Sequence, residues 1–421
     1  MSSVPYAALW IFVFSLPWER VIVITNMSII TRLTGAVALG LAILFVVISG
    51  QFRRWHAVHV AALLFVACAG IGVLSLGMYN IPKKFLTYIM LFCVLWMIWE
   101  LAVTRRRQIG LLTAFLFGSY VVAFATIHVY LTHAGSLRRF SATADADPND
   151  LAMTLALALP MAWFLGMTHP RAVVRWLGRG FLPVGLFVIG LTASRGGMLA
   201  ALVGLTVVPF TMTRLSPGRL AGALAAIGLS GALAIAYVPE RTVQRLATTG
   251  TEVEDLSFGG RFKLWRAGVI AFTEKPIMGH GTSTFIHAVR PTLGVRAQVA
   301  HNSFLSLLVE QGLIGFLLYM AMLVAVLSAV LKLPRLERRF ALVLFATLGT
   351  TMLPLTWEDQ KAVWFVLAVL IGLAHAQDVT ARTPVPAPYY PPDAVRSPSL
   401  AARTREQWTP LTQRRVRTRR P

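Results

Sequence analysis

The sequence has few charged residues: only 13% of its 421 residues are Asp, Glu, Lys or Arg. Soluble globular proteins carry about 25% charged residues, so this composition excludes most cytosolic enzymes. Acidic residues are especially scarce, with 17 Asp and Glu against 39 Lys and Arg, which gives a formal net charge of +22. This excess of cations suggests either a nucleic-acid partner or an uneven distribution across a membrane.

Cysteine is nearly absent as well, and Cys68 and Cys93 both lie inside apolar runs. We therefore expect neither a disulfide framework nor a cysteine metal cluster. A disordered chain is excluded too, because 56% of the residues are hydrophobic and the mean hydropathy is +0.67. The apolar residues are gathered in runs suited to crossing ~30 Å of hydrocarbon, which predicts an all-α membrane protein with many spans.

We predict about twelve transmembrane helices from these runs. They fall near residues 4–17, 30–49, 57–77, 84–103, 109–132, 150–168, 181–193, 196–213, 219–238, 303–330, 340–355 and 361–377. The first run is short for a span and no basic segment precedes it, so we interpret it as an uncleaved span rather than a signal peptide. Only Ser194 and Arg195 separate the seventh and eighth runs, which predicts a tight turn at one membrane face.

Basic residues in the short loops set the expected orientation. If the N-terminus is cytoplasmic, the basic loops, such as 105–107 and 332–339, all fall on the cytoplasmic side. Both termini are then inside, and a large outer loop at 239–300 joins the ninth and tenth helices. We predict a transmembrane domain over 1–378 and a disordered basic, Pro-rich cytoplasmic tail over 379–421. That tail is suited to anionic lipid headgroups rather than to nucleic acid.

Arg195 interrupts an apolar region, TASRGGMLAALVG, at the outer start of the predicted eighth span. A buried arginine near a membrane face usually has an anionic partner, although an arginine at a helix end also snorkels to headgroups. Ser194 is expected to cap the helix, and Gly196 and Gly197 let another group approach the backbone closely. A helix N-terminus together with a guanidinium group makes an anion site suited to phosphate.

His301 begins the predicted tenth span at the same outer face, within HNSFL. Asn302 or Ser303 is expected to cap this helix, so a capping segment with an incidental histidine is the alternative interpretation. The positive end of the helix dipole disfavours the imidazolium ion, and a neutral histidine is what a general base requires. Glu310 lies two turns deeper, on the same helical face as Ser303 and Ser306, and a carboxylate at that depth needs a partner.

The outer loop contains RFKLWRAGVIAF, in which Trp265, Val269 and Phe272 recur at helical spacing. This pattern predicts a short amphipathic helix that lies on the membrane or caps the bundle. Arg261 and Arg266 flank Trp265. From the residues alone, these arginines serve either to contact lipid headgroups or to bind a ligand.

A second outer cluster, TADADPNDLA, holds Asp145, Asp147, Asn149 and Asp150 before the sixth span. The spacing is similar to the start of a calcium loop, but the glycine and the final glutamate are missing. We therefore expect Asn149 or Asp150 to cap the sixth span. Four further polar residues are assigned no role: His280, His287, Glu358 and Asp359.

Three segments resemble the O-antigen ligase and polymerase superfamily of bacterial inner-membrane glycosyltransferases. They are TASRGGMLAALVGL, GGRFKLWRAGVIAFTEKPIMGHGTSTF and HNSFLSLLVEQGLIGFLLY. The resemblance is best over about 185–325 and follows a specific order: an arginine turn, a large outer loop with R-x-x-x-W, then HN at a span start. One departure is His280 between Gly279 and Gly281, where a small or apolar residue is expected.

The resemblance implies a donor glycan on undecaprenyl diphosphate, transferred at the periplasmic face without a nucleotide sugar, a cofactor or a metal ion. The acceptor implied for a ligase is lipid A–core. By the same resemblance, Arg195 and Arg261 bind the diphosphate and His301 deprotonates the acceptor hydroxyl. The possible supporting residues are Arg266, Asn302 and Glu310.

Two alternative functions stay open. A polysaccharide polymerase uses the same donor but passes the chain to a second lipid-linked glycan. A multi-spanning polysaccharide transporter or flippase would also have twelve spans. Against the transporter, the polar groups gather at one face, and the sequence offers little beyond Glu310 for ion coupling near the midplane.

Overall fold

The computed structural model describes residues 3–19, 21, 29–75, 82–133, 139–143, 146–212, 228 and 261–376. These residues form helices joined by turns and loops. The helices are α1 (Ser3–Ser15), α2 (Ile29–Ser49), α3 (Ala57–Ser75), α4 (Lys83–Leu101), α5 (Arg105–His133), α6 (Pro148–Thr168), α7 (Ala172–Leu191), α8 (Arg195–Leu205), α9 (Val207–Thr211), α10 (Arg261–Glu274), α11 (Phe285–Leu293), α12 (Ser303–Val330), α13 (Arg335–Met352) and α14 (Lys361–Ala374).

Among the described residues, seven helices are long and apolar enough to cross a membrane, namely α2 to α7 and α12. Shorter apolar helices cover Ser3–Ser15, Arg195–Thr211 and Lys361–Ala374. The predicted helical membrane-protein class is therefore confirmed for this part of the chain. The count of twelve spans and their orientation stay predictions. The predicted ninth span apart from residue 228, the loop residues 239–260 and the tail 379–421 lie outside the described residues.

Two helices, α6 and α14, form the centre of the bundle. Nearly every side chain of α6 from 151 to 166 is buried, and so is every side chain of α14 from 363 to 373. α6 packs against α5, α7, α8 and α13, whereas α14 packs against α4, α5, α12 and α13. A helix that is apolar all round belongs inside such a bundle. α2, by contrast, exposes large apolar side chains such as Val47 and Ile48, as a lipid-facing helix does.

Helix α7 begins nine residues earlier than the predicted span 181–193. Two arginines that were expected in a loop, Arg175 and Arg179, are therefore part of the helix. Their guanidinium groups donate to backbone carbonyls at the end of α6, from Arg175 to His169 (3.0 Å) and from Arg179 to Gly166 (3.1 Å). These bonds satisfy the charged groups near the membrane face, so the helix extends through residues that composition alone assigned to the loop.

Helix α12 matches the predicted span 303–330 but is interrupted at Gly312, which has φ 62° and ψ −166°. The segment 276–281 lies against this break and satisfies the backbone groups that the helix leaves free, as a membrane interior requires. Four backbone bonds close the break: Leu313 N–H to Pro276 O, His280 N–H to Val309 O and Gly281 N–H to Glu310 O, each 2.8 Å, and Ile314 N–H to Ile277 O at 3.2 Å.

Helices α10 and α11 pack on the first half of α12 and form a second apolar core. The predicted loop helix is confirmed; Trp265 and Phe272 of its predicted apolar face pack against this core, whereas Val269 is 53% exposed. The reason is close packing: a Cβ atom on Gly268 would lie only 2.9 Å from Leu305 Cδ2, so small residues face α12. The buried face consists of Leu264, Ala267, Gly268 and Ala271.

Several helices begin at one end of the bundle, which we call the His301 end. Side-chain contacts join the starts of α4, α6, α12 and α14 there. At the opposite end, where α4 and α14 finish, Arg53 donates to the carbonyl oxygens of Trp99 (2.9 Å) and His375 (2.8 Å). Polar groups are thus concentrated at the two ends, with an apolar bundle between them.

Candidate functional site

The segment 354–358, between α13 and α14, connects the predicted site residues. The His301 N–H donates to Thr356 Oγ1 (3.0 Å), and the Ser303 hydroxyl donates to the Leu355 carbonyl (2.9 Å). Trp357 donates from its backbone N–H to Ser303 Oγ (2.8 Å) and from its indole to Asp150 Oδ1 (2.9 Å). The starts of α12 and α6 are therefore held on one short segment.

His301 lies directly before α12 and is partly exposed. Its φ of 46° is in the left-handed region, which few residues other than glycine adopt. Backbone strain of this kind often marks functional positions. Of the two residues expected to cap α12, Asn302 does so: its Oδ1 accepts the Leu305 N–H at 3.0 Å. Asn302 therefore fixes the backbone beside His301.

The electrostatic surroundings of His301 favour its neutral form. Burial lowers the pKa of His301 below its usual 6.5, and the positive charge of Arg261 lowers this pKa further, while Asp147 and Asp150 act in the opposite direction. The helix dipole was the cause expected from the sequence, and burial and the charge of Arg261 are causes that the sequence did not reveal. Arg261, Asp147 and Asp150 consequently lie within electrostatic reach of the imidazole.

Arg261 is the first residue of α10 and is partly exposed, whereas Arg266 is exposed on the same helix. The Trp265 indole donates to the carbonyl of Ala300 at 3.1 Å, which fixes α10 against the residue before His301. The described geometry therefore brings Arg261 to His301. It shows no comparable link for Arg266.

Arg195 begins α8 directly after the turn that the sequence predicted. Ala193 has φ 49°, and Ser194 caps the helix as expected, with its Oγ accepting the Gly197 N–H at 3.2 Å. A Cβ atom on Gly196 would lie 2.9 Å from Pro354 Cγ. Helix α8 therefore starts against the same 354–358 segment that holds His301, and this contact explains the close approach inferred from the glycines.

Arg139, which no sequence pattern singled out, joins the Arg195 turn to the start of α6. Its Nε donates to the carbonyl of Thr192 (2.9 Å), and its Nη2 donates to Asn149 Oδ1 (2.7 Å). The expected capping of α6 by Asn149 or Asp150 is wrong. Asp147 is the cap, because its Oδ1 accepts the Asn149 N–H at 2.7 Å and Pro148 then opens the helix. Asp145 lies outside the described residues.

Glu310 has a partner that the sequence did not reveal, which is Lys84 near the start of α4. Lys84 Nζ lies 2.9 Å from Glu310 Oε2 and 2.7 Å from Glu358 Oε1, and Ser306 Oγ donates to the same Glu358 oxygen at 2.7 Å. Glu358 is fully buried and has a structural role that its sequence position did not predict. The sequence offered one signal for this pairing: Lys84 and Glu358 are charged residues that each stand at the start of an apolar run.

Glu310 also fixes the loop that precedes α11. Its carboxylate accepts the backbone N–H groups of Ser283 (3.1 Å) and Phe285 (3.3 Å). In the same loop His280 Nε2 lies 2.7 Å from the Ala271 carbonyl, which ties the loop to α10. The histidine between two glycines thus makes a specific contact, and Glu310 supports the framework of the site.

Comparison with protein-family models gives a match. The O-antigen ligase family model matches residues 180–320, which run from α7 into α12 and include Arg195, Arg261 and His301. No curated protein matches the chain. Residues 180–320 are therefore similar to the O-antigen ligase family, in agreement with the resemblance of the chain to the O-antigen ligase and polymerase superfamily.

Proposed function

We propose that the protein transfers a glycan from undecaprenyl diphosphate to a hydroxyl group of lipid A–core at the periplasmic face of the bacterial inner membrane. The observation that carries this proposal is the position of His301. A strained, partly buried histidine with a lowered pKa lies in reach of Arg261, on the segment against which α8 and Arg195 begin. The match to the O-antigen ligase family supports a lipid-linked glycan as the substrate class.

The proposed reaction is a single displacement at the anomeric carbon of the donor. His301 accepts the proton of the acceptor hydroxyl, and the acceptor oxygen forms a bond to the anomeric carbon. The bond from that carbon to the diphosphate oxygen breaks, and undecaprenyl diphosphate leaves with the electron pair. Arg195 and Arg261 stabilise the charge that develops on the leaving group, because guanidinium groups bind phosphate oxygens in a bidentate manner. The configuration at the anomeric carbon is inverted.

The supporting residues serve this site in different ways. Asn302 caps α12 next to His301, and Glu310 holds the loop 283–285 while paired with Lys84. We assign both to positioning rather than to contact with the donor. Arg266 is exposed, and we propose that it contacts lipid headgroups or the donor glycan.

A buried ionic cluster of Lys84, Glu310 and Glu358 bears on the transporter alternative, because such a cluster could couple transport to an ion. Transporter sites lie near the bilayer midplane. Lys84 is instead the second residue of α4, and Glu358 precedes α14, so this cluster belongs to the His301 end. The cluster contacts Ser306 and the loop before α11. We therefore propose that it holds the framework of the transferase site in place.

Variants of the full chain in its own cells test the proposed roles. His301→Ala and Arg195→Ala should reach the membrane at normal levels yet lower glycan transfer at least about 100-fold, as loss of a general base or of a group that stabilises developing charge does. Matched controls are His287→Ala and Arg290→Ala, which remove exposed side chains of α11. Normal surface glycan in cells carrying His301→Ala or Arg195→Ala would refute the role assigned to that residue.

The same cells separate a ligase from a polymerase. Loss of a ligase leaves lipopolysaccharide that ends at the core, because no chain is attached to lipid A–core. Loss of a polymerase leaves a single attached repeat or no exopolysaccharide. Core-only lipopolysaccharide in the deletion strain supports the ligase proposal, and a single attached repeat would favour the polymerase instead.

A further inference from the structure

The strained backbone at His301 is held by a side chain from a distant part of the chain. Its φ of 46° is left-handed, and such a conformation persists in a residue with a side chain only where the surroundings impose it. The His301 N–H donates to the hydroxyl oxygen of Thr356 at 3.0 Å. Because φ is the rotation about the bond from this nitrogen to Cα, the anchored N–H on one side and helix α12 on the other hold φ at this value.

Thr356 is itself fixed relative to α12. The residues on either side of it bond to Ser303, in the first turn of that helix. The Ser303 hydroxyl donates to the Leu355 carbonyl (2.9 Å), and the Trp357 N–H donates to Ser303 Oγ (2.8 Å). Ser303, Leu355 and Trp357 are all buried. The Thr356 hydroxyl therefore has a set position beside the start of α12, to which the residue before the helix must bring its N–H.

The imidazole of His301 has no polar anchor of this kind. Within the part of the chain that the structure describes, the ring takes part in no hydrogen bond, although the charges of Arg261, Asp147 and Asp150 act on it. Its direction is therefore set by the backbone: relaxation of φ to a negative value would swing the bond from Cα to Cβ and carry the ring away. A misplacement of about 1 Å can cost a reaction about 100-fold in rate.

We propose that Thr356 is a positioning residue for the general base, and that its hydroxyl oxygen imposes the backbone conformation that aims the His301 imidazole at the acceptor hydroxyl. This inference rests on the proposed transferase function and adds a residue that acts only through His301. Thr356 takes no part in the proton transfer. Its loss should therefore slow the chemical step and leave the binding of both substrates largely unchanged.

Two substitutions in the full chain, in lipid nanodiscs, separate the hydroxyl of Thr356 from its shape. Thr356→Val keeps the shape and removes the acceptor oxygen, whereas Thr356→Ser keeps the oxygen. With undecaprenyl-diphosphate glycan as donor and lipid A–core as acceptor, Thr356→Val should lower kcat at least about tenfold and leave both KM values within about twofold. Thr356→Ser should keep kcat within about threefold of wild type.

The matched control is Thr350→Val, which makes the same substitution in α13. The Thr350 hydroxyl donates to the carbonyl of Ala346 in its own helix (2.9 Å), so its removal should leave kcat and both KM values unchanged. An unchanged kcat in Thr356→Val, a rise in KM in place of the fall in kcat, or an equal loss in Thr356→Ser would overturn the positioning role.

A labelling experiment tests the same contact without the reaction. Diethyl pyrocarbonate modifies neutral imidazole rings, and mass spectrometry compares its rate at His301 with its rate at His287, an exposed residue of α11 in the same molecule. Without its anchor, the partly buried His301 should become more accessible. The ratio of the two rates should rise at least about threefold in Thr356→Val and stay at the wild-type value in Thr356→Ser.

The labelling ratio distinguishes failure of this inference from failure of the proposed function. A ratio that rises in Thr356→Val, although wild type transfers no glycan, would support the contact to His301 and refute only the transferase. A ratio that is unchanged in Thr356→Val, while wild type transfers glycan and His301→Ala does not, would refute only the role of Thr356.

Discussion

At the scale of single residues, the site depends on how its charges act on His301. The histidine is partly buried, and its pKa is lowered first by burial and then by Arg261. Asp147 and Asp150 raise the same pKa. The neutral imidazole is therefore favoured at pH 7. If His301 is the base, as we propose, protonation should remove activity only when the pH falls below the usual histidine value of 6.5.

This balance predicts opposite shifts in the pH profile of transfer. For wild type, kcat/KM should fall as the pH drops through a value below 6.5, because protonated His301 cannot accept a proton. Arg261→Met removes a positive charge and should move this acidic limb to higher pH, in addition to weakening donor binding. Asp147→Asn removes a negative charge and should move the limb to lower pH. Limbs that coincide in all three proteins would mean that His301 is not the titrating base.

The family resemblance pointed to His301, Arg195 and Arg261 as site residues, but the sequence did not reveal what holds them. His301 and Asn302 were recognisable because a polar pair before an apolar run predicts a helix start. The partners lie far along the chain: Thr356 and Trp357 for the start of α12, and Lys84 for Glu310. Such pairings depend on which helix ends meet, and no local pattern encodes that.

At the scale of elements, the ion pairs of Lys84 join α4, α12 and the segment before α14. Both carboxylates are buried, with Glu310 at 5% and Glu358 at 0% side-chain exposure. Lys84→Met leaves these charges without their cation, and removal of one partner from a buried pair costs about 3–5 kcal/mol. We expect a clearly lower melting temperature in detergent, measured by loss of the monodisperse peak on heating.

The adjacent lysine supplies the control for this prediction. Lys83 is exposed, so Lys83→Met should melt like wild type. The double variant Lys84→Met/Glu358→Gln should recover part of the lost stability, because it no longer buries the second uncompensated carboxylate. A Lys84→Met protein as stable as wild type would show that the cluster contributes nothing to the fold.

The break in α12 is the second element-scale feature. A Cβ atom at Gly312 would lie 2.3 Å from the Ile277 carbonyl oxygen and 2.5 Å from the Gly279 nitrogen, and φ is 62°. Gly312→Ala should therefore destabilise the protein by more than about 1 kcal/mol and loosen the loop that precedes α11. Limited proteolysis between α10 and α11 measures this loosening.

Gly40 in α2 provides the matched substitution, because a Cβ atom there meets nothing within 4 Å. Gly40→Ala should leave stability unchanged or raise it by up to about 1 kcal/mol. Equal protease resistance of the two variants would contradict the packing described for Gly312. The sequence predicted one continuous span over 303–330, because a single glycine in an apolar run does not reveal a second segment lying against it.

At the scale of the whole molecule, the composition correctly indicated a helical membrane protein. Apolar runs predicted most helix positions within a few residues, because burial in lipid or in the bundle demands the same residue types. Composition was less useful at helix ends: α7 includes Arg175 and Arg179, and α10 buries its small residues rather than Val269. There, hydrogen bonds and close packing override the hydropathy pattern.

The +22 charge also has a different meaning once the fold is known. A few basic residues have specific partners at the His301 end, where Arg139 joins the Arg195 turn to α6 and Lys84 pairs with two glutamates. Arg261 influences the pKa of His301. We propose that these cations form and support an anion site, while the expected cytoplasmic arginines set the topology.

The most direct test of the proposed transferase is glycan transfer by the purified full chain in liposomes. The liposomes contain undecaprenyl-diphosphate glycan and lipid A–core, with a metal chelator and no nucleotide sugar. We predict that wild type joins the glycan to lipid A–core and releases undecaprenyl diphosphate, and that His301→Ala does neither. Transfer by His301→Ala at the wild-type rate, or no transfer by wild type to lipid A–core or to a second lipid-linked glycan, would contradict the proposed function.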